Sequence, residues 1–130
     1  MGANPSLSGK RVFVVEDEAL SAIYATDVLE ELDCVVAGVA ASNKDAKSAI
    51  RTIRNIDCVM LDVMLQDNVA SDIAALLIEN GTPFVVCSGN GIALSNFPDI
   101  PVVAKPYTPP QLRDALTRAL SGCTSPARGP

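Results

Sequence analysis

A run of four apolar residues, Val12 to Val15, meets three acids, Glu16, Asp17 and Glu18. Like charges this close repel: at about 4 Å and an effective dielectric near 20, two unit charges interact by roughly 4 kcal/mol. A bound cation would offset that repulsion. Another carboxylate, Asp62, ends a second apolar run, CVMLD, and two further runs end on Ser88 and Lys105. Glu16, Asp17 and Asp62, with a backbone carbonyl nearby, suit Mg²⁺, which prefers an octahedron of oxygens and keeps several waters. With the cation present, one carboxylate can attack phosphorus, as in aspartyl-phosphate chemistry. A cation, an ammonium and a hydroxyl would then neutralise the phosphoryl oxygens, which is most of the catalytic task. Each residue alone also has an ordinary reading. Asp62 can cap a turn, Ser88 can cap a helix and Lys105 can be a solvated charge. Glu18 is expected to start a helix, where its charge favours the dipole.

The elements that must position these groups follow from hydrophobic pattern. Five β-like runs stand out: Val12 to Val15, Cys34 to Ala40, Cys58 to Asp62, Pro83 to Ser88 and Pro101 to Lys105. They are rich in Val and hardly alternate, which suits strands covered on both faces. Between them lie stretches with helical spacing. The first carries Leu20, Ile23, Tyr24, Val28 and Leu32 as its apolar stripe. The second carries Ala46, Ala49, Ile50 and Ile53, with Ser42 or Asn43 as N-cap. The third runs from about Asn68 or Val69 to Asn80, with Ile73, Leu76 and Leu77 inward and Gly81 as a stop signal. The last carries Leu112, Leu116, Ala119 and Leu120, and opens at Pro109 and Pro110. The interval GNGIALSNFPDI, Gly89 to Ile100, predicts a short or distorted helix. Such alternation implies a doubly wound α/β fold with a parallel sheet, helices on both faces and right-handed crossovers. Ligands in such folds bind beyond the carboxyl ends of the strands. Glu16, Asp17, Asp62, Ser88 and Lys105 all fall at those ends.

With 130 residues, the chain has the size of one domain, long enough to bury a full core. A net charge of −5 with no basic block argues against nucleic-acid binding. Cys34, Cys58, Cys87 and Cys123 form no C-x-x-C pair, which speaks against zinc. The first three adjoin apolar runs and read as buried thiols in a reducing compartment. No apolar stretch reaches the roughly 18 residues of a membrane span. The opening MGANPSLSGK lacks the apolar core of a signal peptide; its Gly2 and Ser6 match only the loose myristoylation pattern.

In order and spacing, Glu16-Asp17, MLDVML around Asp62, CSG around Ser88 and KP at Lys105-Pro106 resemble the receiver domain of bacterial two-component response regulators. The resemblance covers roughly Gly9 to Gly122. It implies a CheY-like, flavodoxin-like fold: a five-stranded parallel sheet in the order 2-1-3-4-5, with a weak fourth helix. Residues 1–8 are expected to form a disordered arm and residues 9–121 the receiver, and the small, polar, Gly- and Pro-rich stretch over 122–130 reads as a disordered tail. Asp62 would accept a phosphoryl group from a sensor histidine kinase or a histidine phosphotransfer protein, with Mg²⁺ as cofactor. Asp17 would bind the metal directly, Glu16 directly or through water, and Met64 through its backbone carbonyl. Ser88 and Lys105 would hold the phosphoryl group. A cis peptide is expected at Lys105-Pro106. Such a protein catalyses its own phosphorylation and dephosphorylation, without turning over a separate substrate. It would work in the cytoplasm, through contact with a downstream protein or as a phosphoryl sink, and can be a homodimer.

Two departures bear on this expectation. Val102 stands three residues before the lysine, where receivers usually carry Tyr or Phe; Phe84, Phe97 and Tyr107 are candidate substitutes. The proline often found soon after the acceptor is absent from DVMLQDNV. The stretch GTPFVVCSGNG also looks like a subgroup of stand-alone receivers with Pro-Phe before Thr/Ser-Gly. Three other readings remain. A phosphatase of the haloacid-dehalogenase type would want D-x-D, but Met64 holds the second position. A pseudo-receiver would keep the fold as a pure binding module without the chemistry. A dinucleotide-binding protein would want G-x-G-x-x-G after the first strand, which is absent.

Overall fold

A computed structural model of the chain describes residues 7–63, 68–89 and 99–121. Its elements are β1 (Arg11–Val15), α1 (Ala19–Glu31), β2 (Val35–Ala40), α2 (Asn43–Thr52), β3 (Cys58–Val63), α3 (Asn68–Asn80), β4 (Phe84–Ser88), β5 (Val102–Ala104) and α4 (Pro109–Ser121). The five strands form one parallel sheet in the order β2-β1-β3-β4-β5, as expected. The interval expected to hold a distorted helix, from Gly89 to Ile100, lies mostly outside the described residues, as do Met64, Phe97 and Cys123.

The uninterrupted apolar strands are explained by burial on both faces. Val12 and Val14 of β1, Cys58 and Met60 of β3, and Val85 and Cys87 of β4 pack with α1 and α4. The intervening Phe13, Val15, Val59, Leu61, Phe84 and Val86 pack with α2 and α3. Successive strand residues point to opposite faces, so these three central strands must be apolar along almost their whole length. One close approach tunes the edge of the sheet. The β1–β2 register shifts between Val12 and Phe13, and the Phe13 ring lies against Gly38, where an added Cβ would come within 2.8 Å of Cε1.

The helices begin and end where local chemistry directs. Ser42 Oγ accepts from the Asp45 amide at 3.1 Å and caps α2. Gly81, at φ +72°, closes α3 in the left-handed region. Thr108 and Gln111 form a reciprocal cap at the start of α4, through Thr108 N to Gln111 Oε1 at 2.8 Å and Gln111 N to Thr108 Oγ1 at 3.3 Å.

The expected inward stripe of α1 needs correction. Its buried residues are Ala25, Val28 and Leu29, whereas Leu20 is 73% exposed and Ile23 55% exposed. Apolar residues occur on several faces of this helix, so three-and-four spacing fits more than one stripe. Packing on the sheet selected the face with the small Ala25. Leu7, placed in the N-terminal arm from sequence, is buried against the same layer, and its carbonyl accepts from Cys34 Sγ.

Candidate acidic site

The carboxyl ends of β1, β3, β4 and β5 bring the expected side chains to one rim. Glu16 follows β1, and its amide donates to Ala40 O at 2.9 Å, which continues the β1–β2 ladder past the last strand residue. Asp62 lies within β3, in register with Cys87; Val63 pairs with Ser88, and Ser88 with Ala104. The Lys105 amide donates to Ser88 O at 2.9 Å. Strand pairing therefore fixes the backbone beneath every one of these groups. The peptide before Pro106 is cis, as expected.

Lys105 Nζ is shared between two carboxylates. It donates to Asp62 Oδ1 at 2.7 Å and to Glu16 Oε1 at 2.9 Å. Both acid side chains are only 6% exposed. Glu16 Oε2 accepts from the Glu18 amide at 3.1 Å, which ties the site to the entry of α1. Glu18 itself sits at the N-cap, one residue before the helix, and accepts from Ser21 Oγ rather than facing the cluster. Oxygens of Glu16, Asp17 and Asp62 lie within 4.8 Å of one another, with Asp17 on the exposed side. Asp62 Oδ2 is buried and has no hydrogen-bond partner among the described residues. Ser88 is buried at the end of β4. Met64 lies outside the described residues.

The electrostatics follow from one cation among three acids. Burial raises the Glu16 pKa above its ordinary 4.5, although hydrogen bonds from Lys105 and the Glu18 amide oppose the shift. Burial disfavours the Lys105 ammonium, but hydrogen bonds to Asp62 and Glu16 and their charges outweigh that, so its pKa rises. Burial also pushes the neighbouring Cys87 thiol up to about 12, so it is a neutral packing group.

All donors here are oxygens, and the chain has no histidine. Such a set fits a hard divalent cation such as Mg²⁺ and not a soft metal. A buried carboxylate oxygen without a partner fits the same need, because buried polar atoms are normally satisfied.

Sequence reasoning placed Tyr24 only in the apolar stripe of the first helix, yet it is 42% exposed. It lies across from Tyr107, with ring centroids 5.2 Å apart, and its hydroxyl donates to Tyr107 O at 2.5 Å.

No protein-family model and no curated protein matches the chain. Solved structures do. The chain is similar to SdrG from Sphingomonas melonis Fr1, at 30% identity and a TM-score of 0.73, over 86% of this chain and 97% of that one. It is similar to the BeF3-activated conformation of SdrG from Pseudomonas melonis Fr1, at 31% identity and a TM-score of 0.74, over 87% and 98%. The receiver domain of the PhyR response regulator from Erythrobacter litoralis shares the fold, at 20% identity and a TM-score of 0.74, over 89% and 93%.

Proposed function

The chain belongs to the family of response regulator receiver domains, and from that premise we propose that Asp62 accepts a phosphoryl group in a Mg²⁺-dependent reaction. The observation that carries this reading is the state of Asp62. One of its oxygens is held by Lys105 at 2.7 Å, and the other is buried without a partner. The donor would be a sensor histidine kinase or a histidine phosphotransfer protein. An Asp62 oxygen attacks phosphorus, the O–P bond forms, and the bond from phosphorus to the donor nitrogen breaks, leaving its electron pair on the imidazole.

Glu16, Asp17 and Asp62 would hold the cation, with Met64 adding its carbonyl. When bound, the cation supplies positive charge against the phosphoryl oxygens. The chain's own residues do the rest. Lys105 already lies beside the acceptor, so its ammonium needs little movement to meet a phosphoryl oxygen. The Ser88 hydroxyl, at the end of the neighbouring strand, would donate to another. Burial of Glu16 and Asp62 keeps the local dielectric low, which strengthens each of these contacts.

The receiver would span residues 9–121, with output through contact with a downstream protein. Cys34, Cys58 and Cys87 are free and buried, which fits a reducing cytoplasm. Among the described residues no helix is long and apolar enough to cross a membrane.

Intact mass tests the reading. Incubation with acetyl phosphate and Mg²⁺, and with a phosphorylated phosphotransfer protein, should add one phosphoryl group. Omission of Mg²⁺ or the substitution Asp62→Asn should abolish it. No gain from either donor would favour the pseudo-receiver. Persistent labelling of Asp62→Asn would move the acceptor elsewhere.

A further inference from the structure

Four of the chain's ten cationic side chains, Lys44, Lys47, Arg51 and Arg54, fall within eleven residues, with Asp45 the one acid among them. The first three belong to α2, and their spacing of three and four sets them along one outer line of the helix. Ala46 and Ile50 turn toward the sheet instead. Lys44 and Arg51 are exposed and make no ion pair among the described residues. Lys47 reaches only Asp72 of α3, at 3.9 Å. A solvated face ordinarily mixes both signs; this one is basic, on a chain of net charge −5.

The outer line of α1 carries the reverse. Ile23 is 55% exposed, and Asp27, Glu30 and Glu31 beyond it are exposed too. Glu30 and Glu31 close the helix, whose last turn holds no basic residue, so both anions stand at the negative end of its dipole. Lys44, in the first turn of α2, stands at the positive end of its own helix. Each charge occupies the end that local electrostatics disfavours, and contact with the opposite sign would relieve both.

We propose that α2 of one copy docks on α1 of a second copy, with the two helices antiparallel. In that direction positions 23, 27 and 30 of α1 meet positions 51, 47 and 44 of α2, with the same spacing of four and then three. Asp27 then faces Lys47, Glu30 faces Lys44, and Ile23 lies under the aliphatic stem of Arg51. The negative end of α1 also meets the positive end of α2. One molecule cannot make this contact within itself, because α1 packs on one face of the sheet and α2 on the other. The contact is therefore heterologous: each copy offers both halves, and assembly runs head to tail. Its ion pairs are exposed, so association is weak and salt-sensitive.

Sedimentation equilibrium of the full chain at high micromolar concentration tests the proposal. At about 0.1 M salt the Debye length is about 10 Å, so repulsion between whole molecules is largely screened and touching pairs are not. The weight-average mass should rise with concentration there. It should return to the monomer's 13.6 kDa at about 1 M salt, where that length is about 3 Å. Lys44→Glu/Arg51→Glu should stay monomeric at the lower salt, and so should Asp27→Lys/Glu30→Lys. An equimolar mixture of the two should associate again, because each keeps one native half and its altered half complements the other's. Bulk attraction cannot explain that recovery, since both variants remain net negative. Arg113→Glu/Arg118→Glu, on α4, shifts the net charge as Lys44→Glu/Arg51→Glu does and should associate like the wild type. A wild type that is monomeric at the lower salt overturns the proposal and leaves the basic stripe to an acidic partner of another kind. Equal loss of association in Arg113→Glu/Arg118→Glu overturns it too, as does a mixture of folded variants that stays monomeric. The wild-type salt dependence decides the matter even where a variant fails to fold.

Discussion

Replacing Lys105 by Met tests how the acids tolerate one another. Met keeps most of the stem and removes the ammonium. Glu16 and Asp62, each 6% exposed, then face each other with no protein cation between them. Their oxygens lie within 4.8 Å, so at an effective dielectric near 20 the repulsion is about 3.5 kcal/mol. The protein has an escape, because Glu16 can take up a proton. From its ordinary pKa of 4.5 to pH 7, protonation costs about 3.4 kcal/mol at about 1.4 per unit. Glu16 already lies above 4.5, which makes the escape cheaper and caps the loss. Lys105 is 25% exposed, so solvent trims the figure further. The expected destabilisation at pH 7 is about 2–3 kcal/mol, small enough against a domain's roughly 5–15 kcal/mol for the variant to fold. In urea, with a slope of about 1–3 kcal/mol per molar, the midpoint should fall by about 0.7–3 M. At pH 5 protonation costs under about 1 kcal/mol, and the deficit should shrink accordingly. Millimolar Mg²⁺ should also narrow it, by supplying the missing positive charge. Urea titrations in chelator at both pH values decide the matter. Equal midpoints at pH 7, or a deficit that does not narrow by pH 5, would refute the reasoning.

Asp17→Asn should weaken Mg²⁺ binding by roughly tenfold or more, the scale of about 1.4 kcal/mol, because one anionic oxygen is lost; calorimetry with an unchanged affinity would put the metal elsewhere. Glu16→Gln should alter the pH dependence of stability. The folded-state pKa of Glu16 is raised, so the folded wild type binds more protons than the unfolded chain just above pH 4.5, and its stability falls as pH rises through that window. Relative to Glu16→Gln, the wild type should therefore gain stability as pH drops from 7 towards 4.5, and parallel denaturation curves would contradict this. Gly38→Ala should cost about 1–3 kcal/mol through overpacking, since the Phe13 ring 2.8 Å from the new Cβ is itself in the core; a thermal melt within error of wild type would show that the ring can give way.

The topology and the rim were legible because two periodic signals agreed. Strand runs bounded by polar residues gave the alternation, and the last residue of each run fell where parallel sheets expose their ends. Glu16, Asp17, Asp62, Ser88 and Lys105 were found that way; strand register places Asp62 and Ser88 at the carboxyl edge, and ladder bonds hold Glu16 and Lys105 just past the ends of β1 and β5. The division of Lys105 between Glu16 and Asp62 was not legible, because side-chain choice among three nearby acids depends on distances of tenths of an ångström. The burial of α1 was misjudged for a different reason. Ala25 contributes little hydrophobic signal, yet its small size lets the helix approach the sheet, while Leu20 and Ile23 carry strong signals and face outward. The pairing of Tyr24 with Tyr107 crosses 83 positions of sequence, and nothing local marks it.

The Lys105–Glu16 hydrogen bond joins residues 89 positions apart. Every strand between them is parallel to its neighbour, so each pairing waits on a crossover. Contacts of such separation form slowly, since the chain must give up loop entropy before they reward it. Until β5 docks on β4, Lys105 is absent and Glu16 and Asp62 hold only like charge. A growing or partly unfolded chain therefore lacks the ammonium that would meet a phosphoryl group. A ligand held at 100 times its dissociation constant adds about 2.7 kcal/mol to the state that binds it, and here that state is the finished sheet. Occupancy thus acts as a check on assembly, favouring molecules whose first and last strands have both found their places.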